Sequence, residues 1–144
     1  MRRHAPIALL AVLAAAFPAA GFERWMTTKE ITVAFSGRVV DGYYVDGVTF
    51  TETYERNGRI DYREAGRQLA GKWSVVNDTF CTIYDTSPTG GCYRVVHTSA
   101  NCFEFYFLAR DEREAARPDP GRPSWTARGW RRDQRSTCAD APTV

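Results

Sequence analysis

Two side chains of this sequence could take part in acid–base chemistry, His97 and Glu52. A histidine can act as a general base when a nucleophile and an orienting acid lie beside it. Ser99 is too close in sequence to be identified as that nucleophile, and the sequence has no Gly-x-Ser-x-Gly motif. Glu52 lies between Phe50 and Tyr54 on the expected inward face of a strand, where burial can raise a carboxyl pKa. A structural histidine and a paired, structural glutamate are the competing interpretations, and we expect no enzyme.

Four cysteines, Cys81, Cys92, Cys102 and Cys138, could form disulfides or bind a metal. A metal site needs thiolate or imidazole ligands at close spacing, and the sequence has no Cys-x-x-Cys pair. An even number of cysteines in a small exported chain instead indicates two disulfides, for which three connectivities are open. Glycine-rich phosphate loops, haem-attachment motifs and zinc signatures are absent from the sequence, so we predict no cofactor and no metal.

A basic, aromatic cluster near the C-terminus contains Trp125, Trp130, Arg131 and Arg132. One interpretation is a binding surface for an anionic partner. The other is a structural tail that Cys138 holds against the domain. We keep Trp125, Trp130, Arg131 and Arg132 as candidate binding residues.

The elements that position these residues follow an export signal. Residues 1–21 carry Arg2 and Arg3, then an apolar stretch, then small residues, which is the pattern of a signal peptide. An uncleaved membrane anchor is the alternative, but the apolar run is shorter than the ~20 residues that span a bilayer. We therefore expect a periplasmic or secreted protein with no transmembrane segment after cleavage.

Length and charge exclude several classes of function. The chain has 144 residues, with 19 lysines and arginines against 17 aspartates and glutamates, which suits one small domain rather than a multidomain enzyme. Loss of Arg2 and Arg3 with the signal leaves 17 basic and 17 acidic residues. An exported domain without net charge has no basic field to attract nucleic acid, so nucleic acid is excluded as a partner.

The segment after the signal predicts a short helix. Thr27 and Glu30 match a capping box, Ile31 and Phe35 share one helical face, and Gly37 can end the helix. A strand that begins at Ile31 is the alternative, because β-branched residues are weak helix formers.

From residue 38 onward, short alternating apolar runs are separated by turn residues at roughly ten-residue spacing. The predicted strands cover residues 38–44, 48–54, 59–64, 68–76, 79–85, 92–97 and 102–109, with a further strand possible at 125–128. Asn57 and Gly58 give the strongest turn signal, that of a type I′ turn. Short turns predict an antiparallel meander, and seven or eight strands should close into a barrel or a strongly bent sheet.

The predicted fold is therefore mainly β, with a short N-terminal helix and disulfide staples. We expect the β domain at residues 22–109 and a Pro/Arg-rich, partly ordered tail at residues 110–144, mobile over 110–124. Alternation predicts an inward, largely aromatic core, which comprises Phe50, Tyr54, Ile60, Tyr62, Leu69, Trp73, Val75, Phe80, Tyr84, Tyr93, Val95, Phe103, Phe105 and Phe107.

The same alternation bears on the disulfides. It places Cys81, Cys92 and Cys102 on the outer face of the sheet. Because directly opposed residues of two strands point the same way, Cys81 can pair with Cys92 across a hairpin. That pairing leaves Cys102 for Cys138, which would pin the tail.

An ordered set of short motifs spans roughly residues 25–97. It comprises Thr27, Glu30, Ile31, Phe35 and Gly37, then Asp46 and Gly47, Asn57 to Ile60, Gly71 and Trp73, Phe80 and Cys81, and Gly91 to Val95. This order resembles a group of small exported β-domain proteins of proteobacteria of unassigned function. The resemblance implies a periplasmic β domain with a Cys81–Cys92 bridge and transfers no catalytic residue. In size and β content the chain is also similar to lipocalins and to periplasmic lysozyme inhibitors.

These observations favour a non-enzymatic binding or interaction module of the cell envelope, whose partner is an envelope protein or a small ligand. A lipocalin-like carrier is an alternative that needs an open aromatic cavity. An inhibitor of a hydrolase such as lysozyme is another, with an exposed loop such as residues 87–91 entering the enzyme. A hydrolase would need Glu52 or His97 in a cleft beside a second titratable group.

Overall fold

The computed structural model describes residues 24–86, 90–111 and 124–139. Within these ranges the chain forms one short helix and a closed barrel of eight antiparallel strands, each paired with its neighbours in sequence, the last with the first. The predicted mainly β fold is thus confirmed. The predicted signal peptide, most of the segment predicted to be mobile, and residues 87–89 of the candidate inhibitory loop lie outside the described residues.

The elements follow one another with short connections. Helix α1 covers Thr28–Phe35, and the strands cover Arg38–Tyr44 (β1), Thr49–Tyr54 (β2), Arg59–Glu64 (β3), Arg67–Val76 (β4), Thr79–Tyr84 (β5), Gly91–Ser99 (β6), Cys102–Ala109 (β7) and Ala127–Arg131 (β8). None of the described helices is long and apolar enough to cross a lipid bilayer.

Helix α1 closes one end of the barrel. Its capping box is formed, since the Thr27 side chain accepts from the Glu30 N–H while Glu30 accepts from the Thr27 N–H at 2.8 Å. Ile31 and Phe35 are fully buried. The alternative of a strand at Ile31 is therefore wrong, because a capped first turn and a buried helical face outweigh the weak helix propensity of β-branched residues.

The core is the predicted aromatic interior together with the buried face of α1. Ten of the predicted core residues are buried, whereas Leu69, Val75 and Tyr93 are partly buried and pack against them. Phe107 is also only partly buried, because it lies near the end of the barrel away from α1. The additional core side chains include Ile31, Phe35 and Val40.

The turn at Asn57 and Gly58 differs from the prediction. Gly58 has a φ of 87°, but Asn57 is not in the left-handed region. The hairpin closes instead over a longer loop, in which the Gly58 N–H donates to the Glu55 carbonyl at 3.0 Å. The type I′ requirement of positive φ at both central residues is met between β4 and β5, at Asn77 and Asp78.

Both predicted disulfides are confirmed, Cys81 with Cys92 and Cys102 with Cys138. Cys81 and Cys92 face each other directly in the β5–β6 pairing. Cys81, Cys92 and Cys102 are buried. The Cys81–Cys92 disulfide therefore lies wholly in the packed part of the wall, whereas the Cys102–Cys138 disulfide reaches its surface at the half-buried Cys138.

The β domain does not end at residue 109 as predicted. Strand β8 lies in the segment assigned to the tail, and it pairs with both β1 and β7. Asn101 fastens the chain beyond it, because its side-chain amide donates to the Arg131, Gln134 and Arg135 carbonyls at 3.0–3.2 Å. Without β8, the edges of β1 and β7 would remain unpaired, which explains why the barrel recruits this strand.

Candidate functional site

A row of outward side chains crosses five strands on one side of the barrel. The register aligns Trp130 with Asp41, Asp41 with Thr51, Thr51 with Arg63, and Arg63 with Gln68. Because aligned residues of neighbouring strands point the same way, they form one surface. This surface borders a groove of about 570 Å³, which we call the outer groove, closed on one side by the β3–β4 turn.

Three arginines, Arg63, Arg67 and Arg132, line the outer groove. Arg132 is held in place by Asp41, with Nε to Oδ2 at 2.8 Å, and by the Thr51 hydroxyl at 2.9 Å. Burial raises the pKa of Asp41, but the bonds from Arg132 and Thr51 outweigh it and keep the pKa below its ordinary value. One cation of the groove is therefore held in place by several hydrogen bonds.

Arg63 and Arg67 form weaker contacts than Arg132. Arg63 lies 3.2 Å from Asp61, Arg67 lies 3.2 Å from Glu64, and the two arginine side chains are 64% and 56% exposed. Exposed pairs of this kind contribute at most about 1 kcal/mol. An anionic ligand can therefore replace these carboxylates at little cost.

The structure separates Arg131 from the other three predicted binding residues. Trp130 and Arg132 line the outer groove, but Arg131 lines a second groove beside α1. Trp125 lies on the outer wall near Trp130, since both rings pack against Tyr43, at 6.1 and 6.2 Å between ring centroids. The separation follows from strand alternation, because residues 130 and 132 project to one face and residue 131 to the other.

Glu52 points into the barrel, as alternation predicted, and is buried. Tyr84 donates to its Oε1 at 2.5 Å, and Tyr54 donates to its Oε2. Burial raises the pKa of Glu52, and the two tyrosine bonds oppose that shift only in part. Burial and the charge of Glu52 raise the pKa of Tyr93 to about 12.

A cavity of about 30 Å³ adjoins Glu52, and we call it the interior cavity. It lies towards the end of the barrel opposite α1, between the last residues of β1 and the first of β6. Its wall is otherwise largely aromatic and consists of Tyr44, Phe50, Phe80, Thr82, Tyr93, Phe105 and Ala127. This volume holds one small polar group and no larger ligand.

The stability of the protein should depend on the ionisation of Glu52. Folding raises the pKa of this carboxyl above 4.5, its pKa in the unfolded chain. The group therefore stabilises the folded state fully at pH values below 4.5, and this contribution is lost as pH rises through the pKa of the folded state. In the parent protein, the free energy of unfolding should fall by up to about 1.4 kcal/mol per pH unit just above pH 4.5. Glu52→Gln should remove this fall. Urea unfolding between pH 4.5 and 8 measures this slope. If the free energy of unfolding depended on pH in the same way in both proteins, the slope could not be assigned to Glu52.

Two carboxylates near α1 have the opposite effect on the pH dependence of stability, because their pKa values are lowered in the folded state. The Arg24 side chain holds the pKa of Glu30 well below its ordinary value, and the hydrogen bond from the Thr28 N–H lowers the pKa of Asp78. Their contributions are present at neutral pH and are lost as pH falls below about 4. The interval above pH 4.5 therefore isolates Glu52 from these two groups.

His97 is exposed and lies flat against Phe103, with ring centroids 4.7 Å apart. It lines the groove beside α1, which has a volume of about 710 Å³. The Ser99 hydroxyl instead contacts the Thr137 hydroxyl at 2.6 Å. The structure therefore does not bring Ser99 and His97 together as a nucleophile and its base.

A second buried glutamate, Glu104, was not found by sequence reasoning. Its Oε1 lies 2.8 Å from Arg128 Nη2, and Tyr106 donates to its Oε2 at 2.5 Å. The pattern Glu-x-Tyr, shared with Glu52 and Tyr54, was the available signal. In the part of the chain that the structure describes, no group of three histidine, cysteine, aspartate or glutamate side chains could hold a metal.

The chain was compared with protein families, curated proteins and solved structures. No family model, no curated protein and no solved structure matches this chain.

Proposed function

We propose that this protein is a non-enzymatic binding module of the cell envelope that holds an anionic partner in the outer groove. The observation that carries the proposal is the cross-strand row from Trp130 to Gln68, with three arginines. This row lies on the wall of a barrel whose interior leaves only a small cavity. Rigid strands fix the positions of these side chains before a partner binds.

Charge favours an anionic partner. Of the charged side chains that line the groove, Arg63, Arg67 and Arg132 outnumber Asp41 and Glu64. All three arginine side chains are more than half exposed, but Arg132 is already bonded to Asp41, whereas Arg63 and Arg67 are only weakly paired. The two exposed guanidinium groups can form paired hydrogen bonds to a carboxylate or phosphate group.

The filled interior argues against a lipocalin-like carrier of a large ligand. Such sites are typically about 300–1,000 Å³, and the interior cavity measures about 30 Å³. Phe35 and its helix close the other end. Inhibition of a hydrolase through residues 87–91 has no support from the described residues, because residues 87–89 are outside them.

Export to the periplasm is part of the proposal. Two disulfides in so short a chain favour an oxidising compartment. The N-terminal pattern of residues 1–21 and the resemblance to exported proteobacterial proteins point the same way.

Binding through the outer groove predicts that neutralising its exposed arginines removes the partner. Arg63→Gln with Arg67→Gln should reduce capture of the partner from envelope extract of the native host by about ten-fold or more, as expected for loss of charge-assisted bonds. The double variant should unfold at nearly the same temperature as the parent, because both side chains are exposed.

The matched control is Arg59→Gln with Lys72→Gln. Arg59 and Lys72 are exposed and face each other across β3 and β4, towards the α1 end of the same strands. This control variant also loses two positive charges, and it should capture the partner to within about two-fold of the parent protein. Equal capture by both double variants would show that the partner does not use the outer groove.

A further inference from the structure

Two buried glutamates of the barrel lie in the same local pattern but have different partners. Glu104 is on the outer wall, where Tyr106 donates to one oxygen and Arg128 to the other. Glu52 is inside, where tyrosines donate to both oxygens. Among the described residues that line the interior cavity, none is basic. Within the ranges that the structure describes, the carboxylate of Glu52 therefore lacks a cation like the one that Arg128 supplies to Glu104.

The nearby positive charge of Arg110 does not fill this role. Its guanidinium carbon lies over the ring of Phe107, 5.5 Å from the centroid, and its charge acts on Tyr93. Neither Arg110 nor Phe107 is among the residues that line the interior cavity. A carboxylate buried without a cation is costly, and burial accordingly raises the pKa of Glu52.

The interior cavity provides what a small cation needs. A carboxylate has about four acceptor positions, and the hydroxyls of Tyr54 and Tyr84 use two of them. The Thr82 hydroxyl is a further acceptor on the wall. The remaining wall contains five aromatic rings, whose faces attract a cation: Tyr44, Phe50, Phe80, Tyr93 and Phe105.

We propose that the interior cavity is a binding site for the ammonium group of a small primary amine, with Glu52 as its counter-ion. The ammonium donates to Glu52 and Thr82, and its remaining face lies against the rings. Any tail of the amine passes between Tyr44 and Tyr93, which are only partly buried and lie away from α1. Phe50 is the one described residue that lines both this site and the outer groove, and the proposal does not depend on the function proposed for that groove.

The size and chemistry of the cavity select this ligand class. The volume of about 30 Å³ admits an ammonium group but not a planar guanidinium with its five donors. Calcium and magnesium require about six oxygen ligands, which an aromatic wall with one carboxylate does not supply. A compact cation with three donors matches one carboxylate, one hydroxyl and a set of rings.

Titration of the oxidised protein with methylammonium chloride tests the site, with potassium chloride at the same ionic strength as the reference. Binding should be saturable and specific to the amine. Glu52→Gln should weaken it by about ten-fold or more, because the variant keeps the shape of the side chain and loses its charge. Glu104→Gln, the matched control in the other Glu-x-Tyr pattern, should change the dissociation constant by less than about two-fold.

Nuclear Overhauser effects from the ligand methyl group to ring protons of Tyr93 and Phe105 should appear in the unmodified protein. This second measurement does not depend on how well a variant folds. The absence of saturable binding would overturn the proposal, as would binding without contacts to these rings. Equal affinity in a folded Glu52→Gln protein would also overturn it.

Discussion

A chain that ends after Ala109 should fail to form the barrel. It lacks β8, so β1 and β7 each lose a partner strand and the sheet cannot close. It also lacks the Cys102–Cys138 disulfide, whose 36-residue separation corresponds to about 4 kcal/mol in the chain-entropy description. Burial of Trp130 adds about 3 kcal/mol. These losses match the whole stability of a small domain, about 5–15 kcal/mol.

Circular dichroism and thermal unfolding under oxidising conditions measure the effect. The control is the double variant Cys102→Ala with Cys138→Ala, which breaks the staple but keeps β8. It should remain folded and lose about 2–5 kcal/mol. A truncated protein with the melting temperature of the parent would show that the C-terminal segment is only a binding surface, the other interpretation of Trp130 and its arginines.

Most of the barrel wall could be predicted because its determinants are local. Alternation and turn residues locate β1 to β7 within a few residues, and alternation also places Glu52 inside. Cys81 could be paired with Cys92 because opposed residues of two hairpin strands point to the same side of the sheet. Each of these inferences uses residues that are close in sequence.

The parts that sequence reasoning missed depend on distant contacts. The pairing of β8 with β1 joins Val40 to Arg131, and the outer groove needs the bond between Asp41 and Arg132. Nothing within either segment specifies the other. Alternation alone does predict that Arg131 turns away from Arg132, but only once the segment is known to be a strand rather than a tail.

The contribution of α1 to the core was also underestimated. Its capping box and apolar spacing predicted a helix, but the list of core residues contained none of its side chains. A helix of eight residues has little stability alone, so its formation depends on what its buried face contacts. Phe35 makes ring contacts with Tyr54, Phe80, Phe103 and Phe105 at 5.0–5.8 Å between centroids. The helix is therefore part of the barrel's core rather than an appendage.

Phe35→Ala should accordingly destabilise the protein by about 3–5 kcal/mol, because the ring is fully buried and its loss leaves a cavity among four aromatic side chains. Urea unfolding with intact disulfides measures this change. Val33→Ala is the control on the same helix, since Val33 is 70% exposed, and it should change stability by no more than about 0.5 kcal/mol. Similar small effects for both variants would mean that α1 does not close the barrel. A large effect confined to Phe35 would instead show that the buried face of α1 is part of the core of the barrel.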